Sequence, residues 1–408
     1  MRIFGVEEHQ LKRHREDTER IRSPAETVAT YRPVMEAVGI TRLANVTGLD
    51  CVGIPVYMAV RPNARSLAVS QGKGIDCDAA RASAMMESIE LWHAERIVRP
   101  LRHDSYRALA REGAVVDVDH VMLRPRAVLR KDVAYEWIAG EDLLSGAATW
   151  VPFEAVTMNT VLSSDRTRTF ASGTNGLASG NHILEAIVHA ILEVIERDAV
   201  TLFHCSSDAR RANRRIDPKT IDDDVCCELI DKLARADLDV ALWDVTSDLG
   251  VPVYMAAIVG RDGDRRWRSL GLLHGSGAHL SSRIALSRAI TEAAQARLTV
   301  IAGSRDDNPP QRYVHANEEA NVALRRALYF NASATARFDS RSLGTTSFEG
   351  DVKVLLDRLI AWGIAQVVAI PLTRAEYGLP VVKIMAAGLE SYVFAPGFRP
   401  GVRARAVA

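Results

Sequence analysis

The sequence predicts an α+β fold built from strand–turn–helix units that occur more than once. Residues 250–256 repeat residues 53–59 with a single change, Val251 in place of Ile54. Each copy precedes a helix that carries glutamate, which indicates that two halves of the chain reuse one unit, although short apolar strands also resemble one another by chance. Predicted strands and helices alternate without a strict βαβ rhythm, which favours a mixed or antiparallel sheet.

The first predicted helix covers Ala25–Val38, because Ser23 can cap it and Pro24 can occupy its first turn. The next predicted elements are strands over Val52–Val60 and Ser66–Ser70, a tight turn over Gly72–Gly74 and a helix capped by Asp78. Later elements are predicted as helices over Ile183–Phe203, 217–237 and Asp351–Trp362 and as strands over Val133–Ile138, Ala148–Pro152, Val240–Val245, Gln366–Pro371 and Pro380–Met385.

With 408 residues, the chain is long enough for one large composite domain or for two domains. Residues 1–24 form a polar lead-in, and residues 25–303 hold the repeated units and the glutamate helices. Residues 304–408 are interpreted as the C-terminal part of the same domain. Within them, the Ser-, Thr- and Gly-rich residues 331–350 are expected to form a flexible loop.

Composition excludes several classes of function. Lysine plus arginine and aspartate plus glutamate both number 51, and this balance argues against broad nucleic-acid binding and against a polybasic membrane surface. No run of about 18 apolar residues predicts a membrane span, and the polar, acidic start excludes an ordinary signal peptide. Five cysteines without a CxxC pair suggest neither a disulfide framework nor a zinc site, so the cytoplasm is the expected compartment.

Three segments run from a glycine through an apolar helix to a glutamate that has a polar partner three residues later. The distance from the glycine to the first glutamate is 13 residues in two segments and 15 in the third. The segments comprise Gly74 with Glu87 and Glu90, Gly180 with Glu193 and Glu196, and Gly277 with Glu292 and Gln295.

Positions i and i+3 lie on one face of a helix, and buried carboxylates are costly unless they are paired or bound to metal. The five glutamates therefore predict a shared site for hard cations, of which Mg²⁺ is favoured by oxygen ligands alone. The alternative is that each glutamate pair lies on a solvated helix face.

Polar and basic residues stand close to these glutamates in the sequence. Ser83, His189 and Arg288 each stand one turn before the first glutamate of a helix. Arg197 and Arg288 offer charge-assisted hydrogen bonds to phosphate oxygens, although an intramolecular Arg–Glu salt bridge is the alternative.

Two glycine-rich entries, Ser70–Gly74 and Gly173–Asn181, lead into glutamate helices. Such entries can present backbone N–H groups to an anion, and Lys73 adds a positive charge to the first. An ordinary turn explains each of them equally well.

Other catalytic motifs are missing. Glu90 and His93 form a lone ExxH, and the other two glutamate helices lack a second copy, so a di-iron carboxylate site is a minority alternative. No HExxH, GxSxG or GxGxxG after a strand occurs, so zinc proteolysis, serine hydrolysis and NAD chemistry have no support.

The motifs SAMMESIELWHAE, SGTNGLASGNHILEAIVHAILEVIERDA and ALSRAITEAAQAR resemble those of the YcaO family. The similarity spans about residues 20–303, with a weaker echo near Gly388–Glu390. Resemblance implies a YcaO-type fold around a nucleotide site and ATP-dependent activation of a peptide backbone amide. In that chemistry a nucleophile adds to the carbonyl and ATP phosphorylates its oxygen. Loss of phosphate then leaves an azoline, an amidine or a thioamide.

Resemblance also implies roles for individual residues. Glu193, Arg288 and Glu292 are expected to be catalytic. The expected Mg²⁺ ligands are Glu87, Glu90, Glu193, Glu196 and Glu292. The expected nucleotide contacts are Arg20, Thr27, Ser83, Asn181, Glu185, Arg197 and Arg288, with Lys73 and Gln295 added on chemical grounds.

Two departures from the family bear on the product. Cys51 stands where related sequences usually have arginine, and the chain ends PGFRPGVRARAVA in place of the PxPxP terminus of azoline-forming members. TRLANVTGLD and RPNARSLAVSQGKG resemble members that work beside a TfuA partner, which delivers sulfur to a peptide carbonyl.

A thioamide is therefore the expected product. The alternatives are an azoline made from Cys, Ser or Thr, a nucleotide-binding scaffold without catalysis, and a di-iron oxidase. The expected partners are a precursor peptide and a TfuA-like or separate leader-binding protein, and by analogy the chain is expected to be a homodimer.

Overall fold

The computed structural model describes all residues except 16–17, 114, 162–167, 262–269, 306, 308–309, 312–313 and 315–317. In this part of the chain the helices are α1 (Pro24–Ala37), α2 (Cys77–Glu95), α3 (Tyr106–Glu112), α4 (Phe153–Val156), α5 (Ile183–Cys205), α6 (Asp208–Ala212), α7 (Asp224–Arg235), α8 (Ser282–Ala302), α9 (Glu319–Phe330), α10 (Phe348–Trp362) and α11 (Val402–Val407). The strands are β1 (Arg2–Ile3), β2 (Val6–Glu7), β3 (Arg42–Asn45), β4 (Val56–Val60), β5 (Val69–Lys73), β6 (Leu101–Ser105), β7 (Ala134–Asp142), β8 (Ala148–Pro152), β9 (Leu177–Ser179), β10 (Leu238–Asp244), β11 (Val253–Gly260), β12 (Leu273–Ala278), β13 (Gln366–Pro371) and β14 (Val381–Ala387).

Two antiparallel three-stranded sheets form the repeated halves. Their strand orders are β3-β4-β5 and β10-β11-β12, and the repeated heptapeptide contributes the central strands β4 and β11. The last strand of each sheet leads directly into a glutamate helix, α2 after β5 and α8 after β12. The prediction of an α+β fold with internally repeated strand and helix units is therefore confirmed.

Glycines bring each of these strands against its helix. A Cβ atom on Gly72 would lie 2.0 Å from the backbone nitrogen of Ala84, and one on Gly275 would lie 2.3 Å from the carbonyl oxygen of Ala289. Any side chain at either position would push the helix away from the strand. The interpretation of residues 72–74 as a tight turn was wrong, because Gly72 lies inside strand β5 and is required for close packing.

A third, six-stranded antiparallel sheet has the order β6-β7-β13-β14-β9, with β8 paired to β7. Its short edge strand β9 leads into α5, so the third glutamate helix also follows a strand. The middle of α5 is buried through Ile187, Ile191 and Ile195 in the main hydrophobic core. This burial fixes the orientation of α5 and turns its glutamates toward the other two helices.

Both ends of the chain are attached to the core. The ammonium group of Lys12 is buried between Glu19 and Asp351, at 2.5 and 2.6 Å. Helix α1 begins as predicted, with a reciprocal capping box between Ser23 and Glu26. At the other end, the tail without regular period contains the short helix α11, which the sequence did not predict.

Several predicted boundaries shift. The cap of α2 is Asp76, where Asp78 was expected, and the helix predicted over 217–237 begins at Asp224 after a 3-10 turn. The strand predicted over Val52–Val60 begins at Val56. Within the described residues, none of the helices combines the length and apolar character needed to cross a membrane.

Candidate nucleotide and metal site

A cavity of about 780 Å³ lies where α2, α5 and α8 meet. Every residue that the sequence nominated for the site lines it. These residues are Arg20, Thr27, Lys73, Ser83, Glu87, Glu90, Asn181, Glu185, Glu193, Glu196, Arg197, Arg288, Glu292 and Gln295. The cavity falls within the range of volumes typical of ligand sites.

Strands β5 and β9 influence the glutamates of α2. The backbone of Gln71 on β5 favours the ionised form of Glu87, and Ser179 on β9 favours that of Glu90, so each lowers the pKa of its glutamate against the effect of burial. Both carboxylates line the same cavity, as their i,i+3 spacing predicts.

Strand β12 holds glutamates of the other two helices by hydrogen bonds. Ser276 donates its hydroxyl to one oxygen of Glu196 at 2.7 Å, and the backbone N–H of Ala278 donates to the other at 2.9 Å. The N–H of Ser276 lies 3.5 Å from Glu292, at the limit of a hydrogen bond. One strand thus ties together glutamates from α5 and α8.

The carboxylates carry more negative charge than their surroundings compensate. Burial raises the pKa of Glu87 to about 7, and burial together with the charge of Glu196 raises the pKa of Glu193 to about 7. Burial and the neighbouring carboxylates of Glu193 and Glu87 raise the pKa of Glu90 well above its ordinary value. A bound cation would relieve this repulsion.

Lys73 supplies one compensating charge. Its ammonium lies 2.6 Å from Glu292 across the junction between the two halves. Burial acts to raise the pKa of Glu292, but the charges of Lys73 and Arg197 outweigh it, so this pKa is lowered. Glu292 therefore stays ionised more readily than Glu87, Glu90 and Glu193, whose pKa values are raised.

The two arginines of the site differ in their pairing. Arg197 lies 3.6 Å from both Glu193 and Glu196 and sits over the ring of Tyr392, 4.9 Å from its centroid. The alternative of an Arg–Glu salt bridge thus describes Arg197 in this structure.

Arg288 forms no ion pair with a described carboxylate. Its Nε is buried without a hydrogen-bond partner among the described residues, and its Nη2 lies 3.4 Å from Nε2 of His189. Burial and the charge of Arg288 lower the pKa of His189 well below its ordinary value, so the histidine is neutral beside the guanidinium. A half-buried guanidinium that lines the cavity and has no described ion-pair partner is suited to an anion such as phosphate.

The N-terminal segment closes one end of the cavity. Arg20 lies 3.6 Å from Glu185, which also accepts the backbone N–H of Ile21 at 3.1 Å. Asn181 donates its side-chain amide to Thr27 at 3.1 Å. The expected contacts Arg20, Thr27, Asn181 and Glu185 are thus neighbours in space, although more than 150 residues separate the two pairs in sequence.

Sequence reasoning missed several residues at this end of the cavity and one buried lysine whose charge acts on Glu193. His14, Thr18 and Arg22 line the cavity from the N-terminal segment, where no periodic pattern marks them. Lys383 on β14 is buried and donates to the carbonyl oxygens of Ala155 and Gly173 at 2.9 and 2.5 Å. Burial lowers the pKa of Lys383 to about 8, against the opposing influence of the Glu193 carboxylate.

The glutamates fit Mg²⁺ held together with phosphate better than they fit a closed metal cage. Among the described residues, no group of three or more His, Cys, Asp or Glu side chains converges tightly enough to hold a metal ion unaided. Mg²⁺ is commonly bound by one or two carboxylates together with substrate phosphates and waters. The carboxylate donor set and the unpaired Arg288 match that mode of binding.

The structure argues against the di-iron alternative. His93 is fully buried, bonded through Nδ1 to the carbonyl oxygen of Ile89 at 2.8 Å, and does not line the described cavity, so the ExxH pair cannot supply a di-iron ligand there. None of the five cysteines lies among the described residues lining the cavity.

Comparison with known proteins matches this site to one family. Residues 71–390 match the family model described as YcaO cyclodehydratase, ATP- and Mg²⁺-binding. The chain belongs to the YcaO family. The YcaO match includes all three glutamate helices, and the family's description confirms the expectation of ATP and Mg²⁺ as cofactors.

One relative is described by its genomic position. A Rhizobium leguminosarum bv. trifolii protein encoded in the region 3′ of tfuA is 36% identical over 388 residues, which cover 94% of this chain and 91% of the relative.

Two solved structures share the fold. YcaO from Methanopyrus kandleri, bound with AMPPCP and Mg²⁺, superposes with a TM-score of 0.72 at 24% identity and covers 95% of this chain and 98% of its own. A heterocyclase in complex with substrate and cofactor has a TM-score of 0.78 at 21% identity over 95% of this chain. The chain spans about half the length of that heterocyclase, 54%.

Proposed function

We propose that this YcaO protein activates a backbone amide of a ribosomally made peptide with ATP and Mg²⁺ and exchanges the amide oxygen for sulfur. The nucleophile is sulfide supplied through a TfuA-like partner. Sulfur adds to the carbonyl carbon, the carbonyl oxygen leaves as phosphate, and a thioamide remains. ATP and Mg²⁺ supply the phosphoryl group and the positive charge that make this oxygen a leaving group.

Different residues of the cavity have different proposed roles in this reaction. Arg20, Thr27, Asn181 and Glu185 are proposed to hold the nucleoside end of ATP, where they already contact one another. Ser83 is proposed to contact the same nucleotide from α2. Lys73 and Gln295 are proposed to position Glu292 and strand β5, because Lys73 pairs with Glu292 and Gln295 donates to the carbonyl oxygen of Gln71 at 3.1 Å.

The observation that carries the proposal is the unpaired guanidinium of Arg288 beside undercompensated carboxylates. Glu87, Glu90, Glu193, Glu196 and Glu292 are proposed to hold Mg²⁺, with Glu193 and Glu292 nearest to the reacting phosphoryl group. Arg288 is proposed to neutralise charge that develops on that group. Cationic groups fixed in advance around a transferring phosphoryl group lower its barrier without reorganisation.

One observation favours sulfur over ring closure: the Rhizobium relative is encoded in the region 3′ of tfuA. A TfuA-like protein is therefore the proposed partner, and a precursor peptide is the proposed substrate. Recognition of the precursor's leader is proposed to reside in that partner or in a separate protein.

An azoline product is the second candidate, since the matched family model is described as a cyclodehydratase. The test combines the chain with ATP, Mg²⁺, sulfide, a TfuA-like protein and a precursor peptide from the same genome. Intact mass is measured together with phosphate release. A mass gain equal to sulfur minus oxygen is expected, whereas loss of one water would establish cyclodehydration.

Nucleotide binding without phosphate release in any of these mixtures would mean a non-catalytic scaffold. The matched control is Glu193→Gln, which is expected to abolish ATP turnover while leaving the fold intact.

A further inference from the structure

Helix α5 presents three polar residues to the cavity at four-residue intervals. Glu185, His189 and Glu193 each stand about one turn apart, so they share one face of the helix, and all three line the cavity. Each of the two glutamates has its own cation, Arg20 at 3.6 Å from Glu185 and Arg197 at 3.6 Å from Glu193. The position between them, which a third arginine contacts, is a histidine.

The third arginine is Arg288 of α8, whose Nη2 lies 3.4 Å from Nε2 of His189. A guanidinium can only donate, so Nε2 of His189 must accept and the ring proton must stand on Nδ1. The ring is therefore neutral, in agreement with the burial and the charge of Arg288 that lower the pKa of His189. A neutral acceptor satisfies one N–H of the guanidinium without cancelling its charge.

The carboxylate nearest to Arg288 along its own helix is already occupied. Glu292 stands four residues after Arg288 on α8, a spacing that brings two side chains together. Lys73 pairs with Glu292 at 2.6 Å, whereas Arg288 forms no ion pair with a carboxylate of the described residues. The contact with His189 holds the guanidinium against the opposite helix, away from this glutamate.

A second, smaller pocket adjoins the same arginine. It has a volume of about 20 Å³, and Arg288, His189 and His279 are among the residues that line it. This volume has room for about one water molecule, so it is too small for a phosphate group. A phosphate would therefore approach Arg288 from the larger cavity, which this arginine also lines.

We propose that His189 is a positioning residue that holds Arg288 in place for the transferred phosphoryl group and leaves its charge uncompensated. This inference rests on the proposed function. A carboxylate at position 189 would form an ion pair with Arg288 that an incoming phosphate would have to break. An apolar side chain there would leave the guanidinium free to turn toward Glu292. A neutral acceptor avoids both outcomes, which gives a specific use to a histidine placed between two glutamates.

The test measures binding of Mg²⁺–AMPPCP to the full chain by calorimetry. His189→Met removes the acceptor and is expected to weaken binding about three- to tenfold, the effect of one hydrogen bond. His189→Gln is expected to keep an affinity near that of wild type, because the end of a glutamine side chain can accept the same hydrogen bond. His204→Met is the control, since His204 lies near the end of the same helix and is not among the described residues lining the cavity.

A double-mutant cycle with Arg288→Met separates positioning from a merely structural role. If His189 acts through Arg288, His189→Met is expected to cause no further loss of affinity once the guanidinium is gone. Where Arg288→Met binds the nucleotide too weakly to measure, the same cycle is followed by denaturant unfolding of the ligand-free proteins. The two substitutions are then expected to be non-additive in the free energy of unfolding.

Wild-type affinity in His189→Met would overturn the inference, as would an equal loss in the wild-type and Arg288→Met backgrounds. Additive effects on unfolding, or a loss in His189→Gln as large as that in His189→Met, would overturn it as well. Wild-type protein that fails to bind Mg²⁺–AMPPCP would instead refute the proposed function. The two failures are therefore distinguishable.

Discussion

Arg403 and Asp198 form a two-point ion pair that attaches the last helix of the chain to α5. The Nε and Nη2 atoms of Arg403 lie 2.8 and 2.9 Å from the two carboxylate oxygens of Asp198, and both side chains are buried. Arg403 also reaches Asp248 at 2.5 Å and stacks on Trp362. Asp198 directly follows Arg197, so the C terminus supports the helix at the point where α5 enters the cavity.

Replacing this arginine is expected to destabilise the protein strongly. Arg403→Met leaves the Asp198 carboxylate buried without its cation, which typically costs about 3–5 kcal/mol. Thermal or denaturant unfolding measures the loss. Arg405→Met on the same helix is the control, since Arg405 is exposed and its hydrogen bond to a described residue goes to the carbonyl oxygen of Pro400. Equal stability of the two variants would contradict the structural role of the pair.

Replacing two glutamates of α2 by glutamine is expected to change the stability of the protein in opposite directions. Glu95→Gln lowers stability, because Glu95 accepts both terminal nitrogens of the buried Arg61 at 2.5 and 2.7 Å. Glu87→Gln is expected to keep or gain stability at pH 8, since it removes a carboxylate whose pKa is raised to about 7. It is also expected to weaken Mg²⁺–AMPPCP binding at least about tenfold. Calorimetry and thermal unfolding of both variants check these opposite effects.

Metal-free stability should depend on pH through the same carboxylates. Below their ordinary pKa of 4.5, Glu87 and Glu193 are protonated in the folded and unfolded states alike. Between pH 4.5 and about 7 the unfolded chain ionises first, so these two residues lower stability as pH rises. Mg²⁺ binds the ionised forms, so its affinity in the presence of AMPPCP is expected to rise over the same range.

The comparison of wild type with Glu193→Gln isolates this effect. His189 has a lowered pKa and acts in the opposite direction, because the unfolded histidine takes up a proton first as pH falls. The difference in unfolding temperature between the two proteins is therefore the quantity to follow. A difference that stays constant from pH 5 to pH 8 would refute the raised pKa of Glu193.

The glycines of the repeat are expected to tolerate no side chain. Gly275→Ala and Gly72→Ala each place a Cβ within 2.3 Å of helix backbone, which is expected to destabilise the protein by about 1–3 kcal/mol or more. Gly260→Ala is the matched control, since no atom of the described residues lies within 4 Å of its added Cβ. Denaturant unfolding that ranks Gly260→Ala with the other two would disprove the close strand–helix contact.

Local sequence pattern was sufficient to predict the glutamate helices. The i,i+3 spacing of acidic residues in apolar helices placed Glu87 and Glu90 on one face, and the repeated heptapeptide located the central strands. Both signals are short-range, because helix periodicity and strand similarity are properties of neighbouring residues. The grouping of all the nominated residues around one cavity follows from those faces and from the family resemblance.

Long-range contacts could not be predicted in the same way. Lys383 and Arg403 reach partners more than 200 residues away, and nothing in their local sequence marks the partner. Residues 72–74 show a different difficulty. Two closely spaced glycines are typical of a turn and also of close packing, and only the position of α2 distinguishes the two.

The contact between β5 and α2, and between β12 and α8, is made by glycine and backbone atoms on one face of each strand. The opposite face of each strand carries side chains that contact the glutamates, Lys73 at Glu292 and Ser276 at Glu196. Within one strand, alternate residues therefore set two different properties, the closeness of the helix and the position of the carboxylates. A substitution on the side-chain face can change ligand affinity while the strand remains packed on its helix.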